Sequence, residues 1–120
     1  MQNSPIAVYH KDCSDGTASA AVFLKRFPKG HAFPLNHGFS EKELAPILAL
    51  ADKDSEIYTI DNALGAGELL GRVKKVTTID HHIGIKDELD KLAKERDDFE
   101  YVFDNSRSGA SLAWKYFFGE

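Results

Sequence analysis

Residues 80–82 read Asp-His-His, directly after Val76–Ile79, which reads as a short strand. Such a triplet makes a poor structural turn and a good metal holder at the end of a buried strand. Neutral imidazole is a common ligand for transition metals, and a neighbouring carboxylate that accepts the other ring N–H fixes the tautomer and the ring orientation. Taken alone, Asp80, His81 and His82 fit an incidental surface pair of histidines as well as a ligand set. Three further stretches tip the balance: His10-Lys11-Asp12-Cys13-Ser14-Asp15-Gly16, Asp61-Asn62, and Asp104-Asn105-Ser106-Arg107-Ser108-Gly109-Ala110-Ser111. Each follows a short apolar stretch of its own.

Those apolar stretches are the elements that must position the chemistry. Strands are expected at Ile6–Tyr9, His31–Leu35, Ile57–Ile60, Val76–Ile79 and Phe99–Phe103. Pro34 puts the second at or near an edge, because proline has no N–H to give a ladder. Between them lie helical stretches at Thr17–Phe27, Leu44–Leu50, Ala66–Arg72, Lys86–Arg96 and Ser108–Phe118. Ser40 and Glu43 have capping-box spacing, and Pro46 implies a helix that is bent or starts later. Gly65, Gly67 and Gly71 loosen the third helix. The fourth has Leu89, Leu92 and Ala93 on one face and Asp87/Lys91 and Asp90/Lys94 at i,i+4. In the last, Leu112, Ala113, Tyr116 and Phe117 point to the core. This alternation predicts one three-layer α/β domain over residues 1–120: a five-stranded parallel sheet in the order 2-1-3-4-5, with helices on both faces.

The bulk properties agree with a single core. The chain has 120 residues, 42% of them hydrophobic, which suits one domain and leaves no room for two. Its net charge of −4 gives no basic stripe for long duplex nucleic acid. Cys13 is the only cysteine, which excludes an intrachain disulfide and points to a reducing compartment. With no leader pattern in Met1–Pro5 and no apolar run approaching a membrane span, a soluble, cytoplasmic protein without a membrane partner is expected. A homodimer is left open.

In a parallel sheet all strand ends share one edge, so His10, Asp12, Asp15, Asp61, Asp80, His81, His82 and Asp104 converge. Carboxylates crowded in this way repel one another unless cations lie between them. Mixed carboxylate and imidazole ligands suit Mn²⁺, Fe²⁺, Co²⁺ or Zn²⁺ better than Ca²⁺, and the number of ligands favours two ions over one. A two-metal centre supports in-line phosphoryl displacement by an activated water. The start of the last helix, Arg107-Ser108-Gly109, offers unpaired backbone N–H groups and a guanidinium to a phosphate.

In order and spacing these motifs resemble those of the DHH phosphoesterase superfamily, which includes RecJ-type exonucleases, nanoRNases and cyclic-dinucleotide phosphodiesterases. The likeness spans residues 6–118. It implies that His10, Asp12, Asp15, Asp61 and His81 hold two Mn²⁺ or Mg²⁺ ions, with Asp61 bridging. It implies that Asp80 orients the histidines, and that His82 faces the substrate phosphate or the leaving group. The expected function is hydrolysis of phosphodiester or phosphoanhydride bonds in small nucleotides or short oligonucleotides. Two departures stand out. Family members commonly place the first-motif carboxylates two residues apart, whereas Asp12 and Asp15 are three apart, which leaves open whether both are direct ligands. A later Asp ligand and a C-terminal substrate-binding domain have no counterpart before Glu120, and Asp104 is a candidate replacement. Two other readings compete. One is a metal- and phosphate-binding or nucleotide-sensing module without turnover, or a fragment of a larger phosphoesterase. The other is a receiver-like domain with one Mg²⁺, which leaves the histidines idle.

Overall fold

A computed structural model of the chain describes residues 4–36, 38–62 and 66–119. His37, Gly65 and the first three residues lie outside that range, and with them the expectations that His37 is a surface residue and that Gly65 loosens a helix. The elements run β1 (Ile6–His10), α1 (Ser14–Arg26), β2 (His31–Leu35), α2 (Glu41–Leu50), β3 (Glu56–Ile60), α3 (Ala66–Leu69), β4 (Lys75–Asp80), a 3-10 turn (Ile83–Ile85), α4 (Lys86–Glu95), β5 (Phe99–Phe103) and α5 (Gly109–Phe118). The five strands form one parallel sheet in the order 2-1-3-4-5, as expected.

Chirality then dictates which face each helix takes. A right-handed crossover puts its helix on one face when the chain steps leftward through the sheet and on the other when it steps rightward. The step from β1 to β2 goes one way, and the steps from β2 to β3, β3 to β4 and β4 to β5 go the other. Accordingly α2, α3 and α4 cover one face. There Leu44, Ile47, Leu69 and Leu89 pack with Ile6, Val8, Ile57 and Val76 of the strands. On the opposite face α1 and α5 pack side by side, with Phe23, Leu112 and Ala113 against Ala7, Ile60 and Ile79. Each fully buried aliphatic side chain contributes about 1.5–3 kcal/mol through removal of its surface from water. Both faces of the central strands are thus buried, and the threonines within them, Thr59, Thr77 and Thr78, are buried with the aliphatic residues.

Four local features differ from expectation. Helix α1 begins at Ser14, three residues before Thr17, so Asp15 and Gly16 lie in its first turn. The turn can sit there because residue 16 has no side chain: a Cβ would lie 2.3 Å from the His10 carbonyl oxygen. Helix α2 runs through Pro46 from Glu41, with the expected capping box at Ser40 and Glu43. Pro46 is on the exposed side, where water can meet the carbonyl its missing N–H leaves. Helix α3 stops at Leu69, well before Arg72, and Gly71 follows with a left-handed φ of 87°. On α4 and α5 the core faces are narrower than expected. Leu89, Leu112 and Ala113 are buried, while Ala93 and Tyr116 are exposed.

Candidate metal centre

Sheet register sets the level of the site. Tyr9 pairs with Ile60, Ile60 with Ile79, and Asp80 with Phe103. His10, Asp61 and Asp80 therefore stand side by side at the carboxyl ends of three adjacent strands, each about 4.8 Å from the next. Strand order reverses at β1, between β2 and β3, and the crevice at such a switch point is where open α/β sheets bind ligands.

Asp61 is the centre of the arrangement. It is 2% exposed and has φ = 64°, a left-handed backbone that Asp adopts more readily than most non-glycine residues. Its amide donates to the Ile79 carbonyl at 2.9 Å. Its Oδ1 lies 2.7 Å from His81 Nε2, and Cys13 Sγ donates to Oδ2 at 3.5 Å. Across the imidazole nitrogen, Asp15 Oδ2 is 3.3 Å away. One ring nitrogen thus sits between two carboxylates. Burial first, then the charge of Asp15, push the Asp61 carboxyl above its usual range, against the pull of His81 and Cys13. A cation at this point relieves both causes at once.

Asp80 is equally buried but differently satisfied. Its Oδ1 accepts the backbone N–H of His81 at 2.7 Å and of His82 at 3.3 Å, and lies 2.6 Å from His82 Nδ1. Asp80 thus meets the ring of His82 and not that of His81, and it leaves the half-exposed His82 ring with Nε2 turned away from that bond. The His81 and His82 rings lie 4.4 Å apart, centroid to centroid.

Asp15 has a second task that its sequence position did not reveal. Its carboxylate accepts the backbone N–H groups of Gly109 at 2.7 Å and Ala110 at 2.9 Å, at the N-terminus of α5. Burial would raise its pKa, but these two bonds, with Asp61 and His81, bring it below the usual carboxylate value. The donors expected to receive a substrate phosphate at Gly109 therefore hold a carboxylate of the chain. Gly109 also lets α5 approach closely: a Cβ there would be 2.6 Å from Asp61 Oδ1. Ser108 caps the helix, its Oγ accepting from Ser111 N. Arg107 donates to Ser111 Oγ at 3.1 Å and lies 3.9 Å from Asp104.

Two groups of side chains can each present their ligand atoms within 4.8 Å of one another: Asp61, Asp80, His81 and His82, and His10, Cys13 and Asp61. The Asp/His cluster can bind a metal ion, and its mixture of imidazole and carboxylate donors suits a divalent transition metal. Of the residues expected from the sequence, His10, Asp15, Asp61, Asp80, His81 and His82 are brought together. Asp12 and Asp15, both expected as ligands, are in neither group; Asp15 meets the cluster through His81 Nε2 at 3.3 Å, and Asp12 stands apart. It is exposed with φ = 54°, a turn position that Asp tolerates well. Asp104 serves the local loop, accepting from Ser106 N and Oγ.

Beside the cluster opens a cleft of about 630 Å³. Its polar wall is His10, Asp61, Asp80 and His82; its apolar wall is Phe39, Ala66, Ile85, Leu89 and Leu92, with Glu68 and Glu88 among the remaining lining residues. The apolar wall escaped the sequence reading, although Leu89 and Leu92 carried a signal as the apolar stripe of α4. Asn62, expected as a turn residue, is buried and donates to the Ile60 carbonyl at 3.0 Å. No protein-family model, curated protein or solved structure matches this chain. Among the described residues no helix is long and apolar enough to cross a membrane.

Proposed function

We propose that this chain is a divalent-metal-dependent phosphohydrolase acting on small nucleotides or short oligonucleotides. One observation carries the reading: residues from three neighbouring strand ends and the first turn of α1 converge on Asp61, which belongs to both potential ligand groups. That sharing favours two ions bridged by one carboxylate, Mn²⁺ or Mg²⁺ being the natural candidates for phosphate chemistry. Metal bound there supplies Lewis acidity and makes a water nucleophilic near neutral pH. The chain's own residues do the rest. His10, Asp61 and His81 hold the cation, with Asp15 against His81, and Asp80 fixes His82 at the rim. His82 faces the cleft, where it can bond a phosphoryl oxygen or give a proton to the leaving oxygen. The apolar wall can take a nucleobase or sugar. The order and spacing of the motifs, similar to those of DHH phosphoesterases, support the same chemistry.

A second reading, a binding module without turnover, draws on one specific observation. The N–H groups expected to clamp phosphate are bonded to Asp15, and the Arg107 side chain is engaged with Ser111 and Asp104. Incubation of the purified chain with a short oligoribonucleotide and Mn²⁺ separates the two. Release of mononucleotides that stops with chelator and with Asp61→Asn supports the enzyme. Mn²⁺ and nucleotide binding without product supports the module.

A further inference from the structure

The first motif contains two residues that compete for one place, and the structure separates them. Asp12 is exposed in a left-handed turn. Cys13 is part-buried at the N-cap of α1, with its thiol turned to Asp61 and its ligand atom within 4.8 Å of those of His10 and Asp61.

Given the metal-dependent reading above, on which this rests, we propose that Cys13 is a metal ligand. The His10–Cys13–Asp61 group then forms a nitrogen–sulfur–oxygen subsite for a thiophilic divalent ion such as Zn²⁺ or Co²⁺, in preference to Mg²⁺. The geometry suits it. Metal–sulfur and metal–oxygen bonds of about 2.3 and 2.0 Å at a tetrahedral angle place sulfur about 3.5 Å from oxygen, and Cys13 Sγ is 3.5 Å from Asp61 Oδ2. A simple S–H···O bond has the same length, so the distance alone does not decide between them. The donor set does add direction: thiolate and imidazole favour Zn²⁺ and its neighbours, while hard Mg²⁺ demands oxygen. The two subsites meeting at Asp61 differ in softness, the one with Cys13 being the softer.

Because Cys13 is the chain's only cysteine, a sulfur signal can have one source. Co²⁺ titrated into the reduced protein should give thiolate-to-cobalt charge-transfer absorption in the near ultraviolet beside the visible ligand-field bands. Cys13→Ser should keep visible-band Co²⁺ binding at the other subsite, lose the charge-transfer band, and weaken Zn²⁺ affinity by at least about 10- to 100-fold, the size seen on loss of lesser metal-site partners. Asp12→Ala should keep the band. Co²⁺ bound with no charge-transfer band in the unsubstituted protein overturns the Cys13 assignment and leaves the metal reading standing. A band abolished by Asp12→Ala in a folded protein, as judged by circular dichroism, overturns the three-donor set by making Asp12 a further ligand of the same ion. No Co²⁺ binding at all overturns both.

Discussion

The α1/α5 side of the sheet's carboxyl edge and its α2/α4 side are built to different rules. On the α1/α5 side the chain closes on itself. Asp15 accepts two backbone N–H groups of α5, Gly109 lies against Asp61, and Gly16 lies against the His10 carbonyl. On the α2/α4 side the same row of strand ends faces a cleft of about 630 Å³ walled by α3 and α4, with His82 half-exposed at its rim. The closed side holds buried carboxylates in positions they would not adopt unaided; the open side is where a ligand can reach them. A site that must crowd negative charge needs a rigid back wall, and the two glycines and the Asp15–α5 bond supply it.

Four substitutions break or sharpen this contrast, in descending order of effect. Asp61→Asn keeps the shape and removes the charge shared by both ligand groups. It should lower Mn²⁺-dependent hydrolysis by on the order of 10³-fold or more, since such charge stabilisation is worth several kcal/mol, with the circular dichroism spectrum retained. Gly109→Ala drives a Cβ into Asp61 from the closed side. Overpacking of this kind costs about 1–3 kcal/mol, read as a lower denaturant midpoint, and an unchanged midpoint would mean that α5 is not pressed against the site. Asp80→Asn weakens the orientation of His82 and should reduce turnover about 10- to 100-fold. A loss smaller than twofold would show His82 to be held by other means. Ile85→Ala, on the apolar wall of the open side, should raise KM up to about tenfold with kcat preserved, as expected for about 1 kcal/mol of uniform binding.

Much of the fold was legible because its signals are local and mutually consistent. Short apolar runs alternating with helical stretches leave few arrangements for a right-handed parallel sheet, and the 2-1-3-4-5 order is among them. Helix boundaries were less legible where tertiary contact overrides pattern. Ser14–Gly16 reads as a loop until Gly16 is seen against His10 and Asp15 against α5. The site was legible in its composition and less so in its pairings. Asp80 and His82 are neighbours in sequence, so their bond could be anticipated. Asp15 and Gly109 are far apart, and a helix N-terminus in sequence carries no sign of which anion it will hold. Asp12 and Cys13 mark the same limit: residue type favours Asp12, whereas the left-handed backbone of Asp12 and its exposure are invisible in the sequence. The apolar wall of the cleft was read as core, because Leu89 and Leu92 carry the same periodicity whichever they line.

The account depends above all on the carboxyl edge holding divalent cations at Asp61. Calorimetric titration of the metal-free protein with Mn²⁺, repeated on Asp61→Asn, tests this most directly. The arrangement predicts saturable binding, with two ions per chain the expected stoichiometry, and its collapse in the variant. Absence of binding at saturating Mn²⁺, or binding indifferent to Asp61, would contradict it.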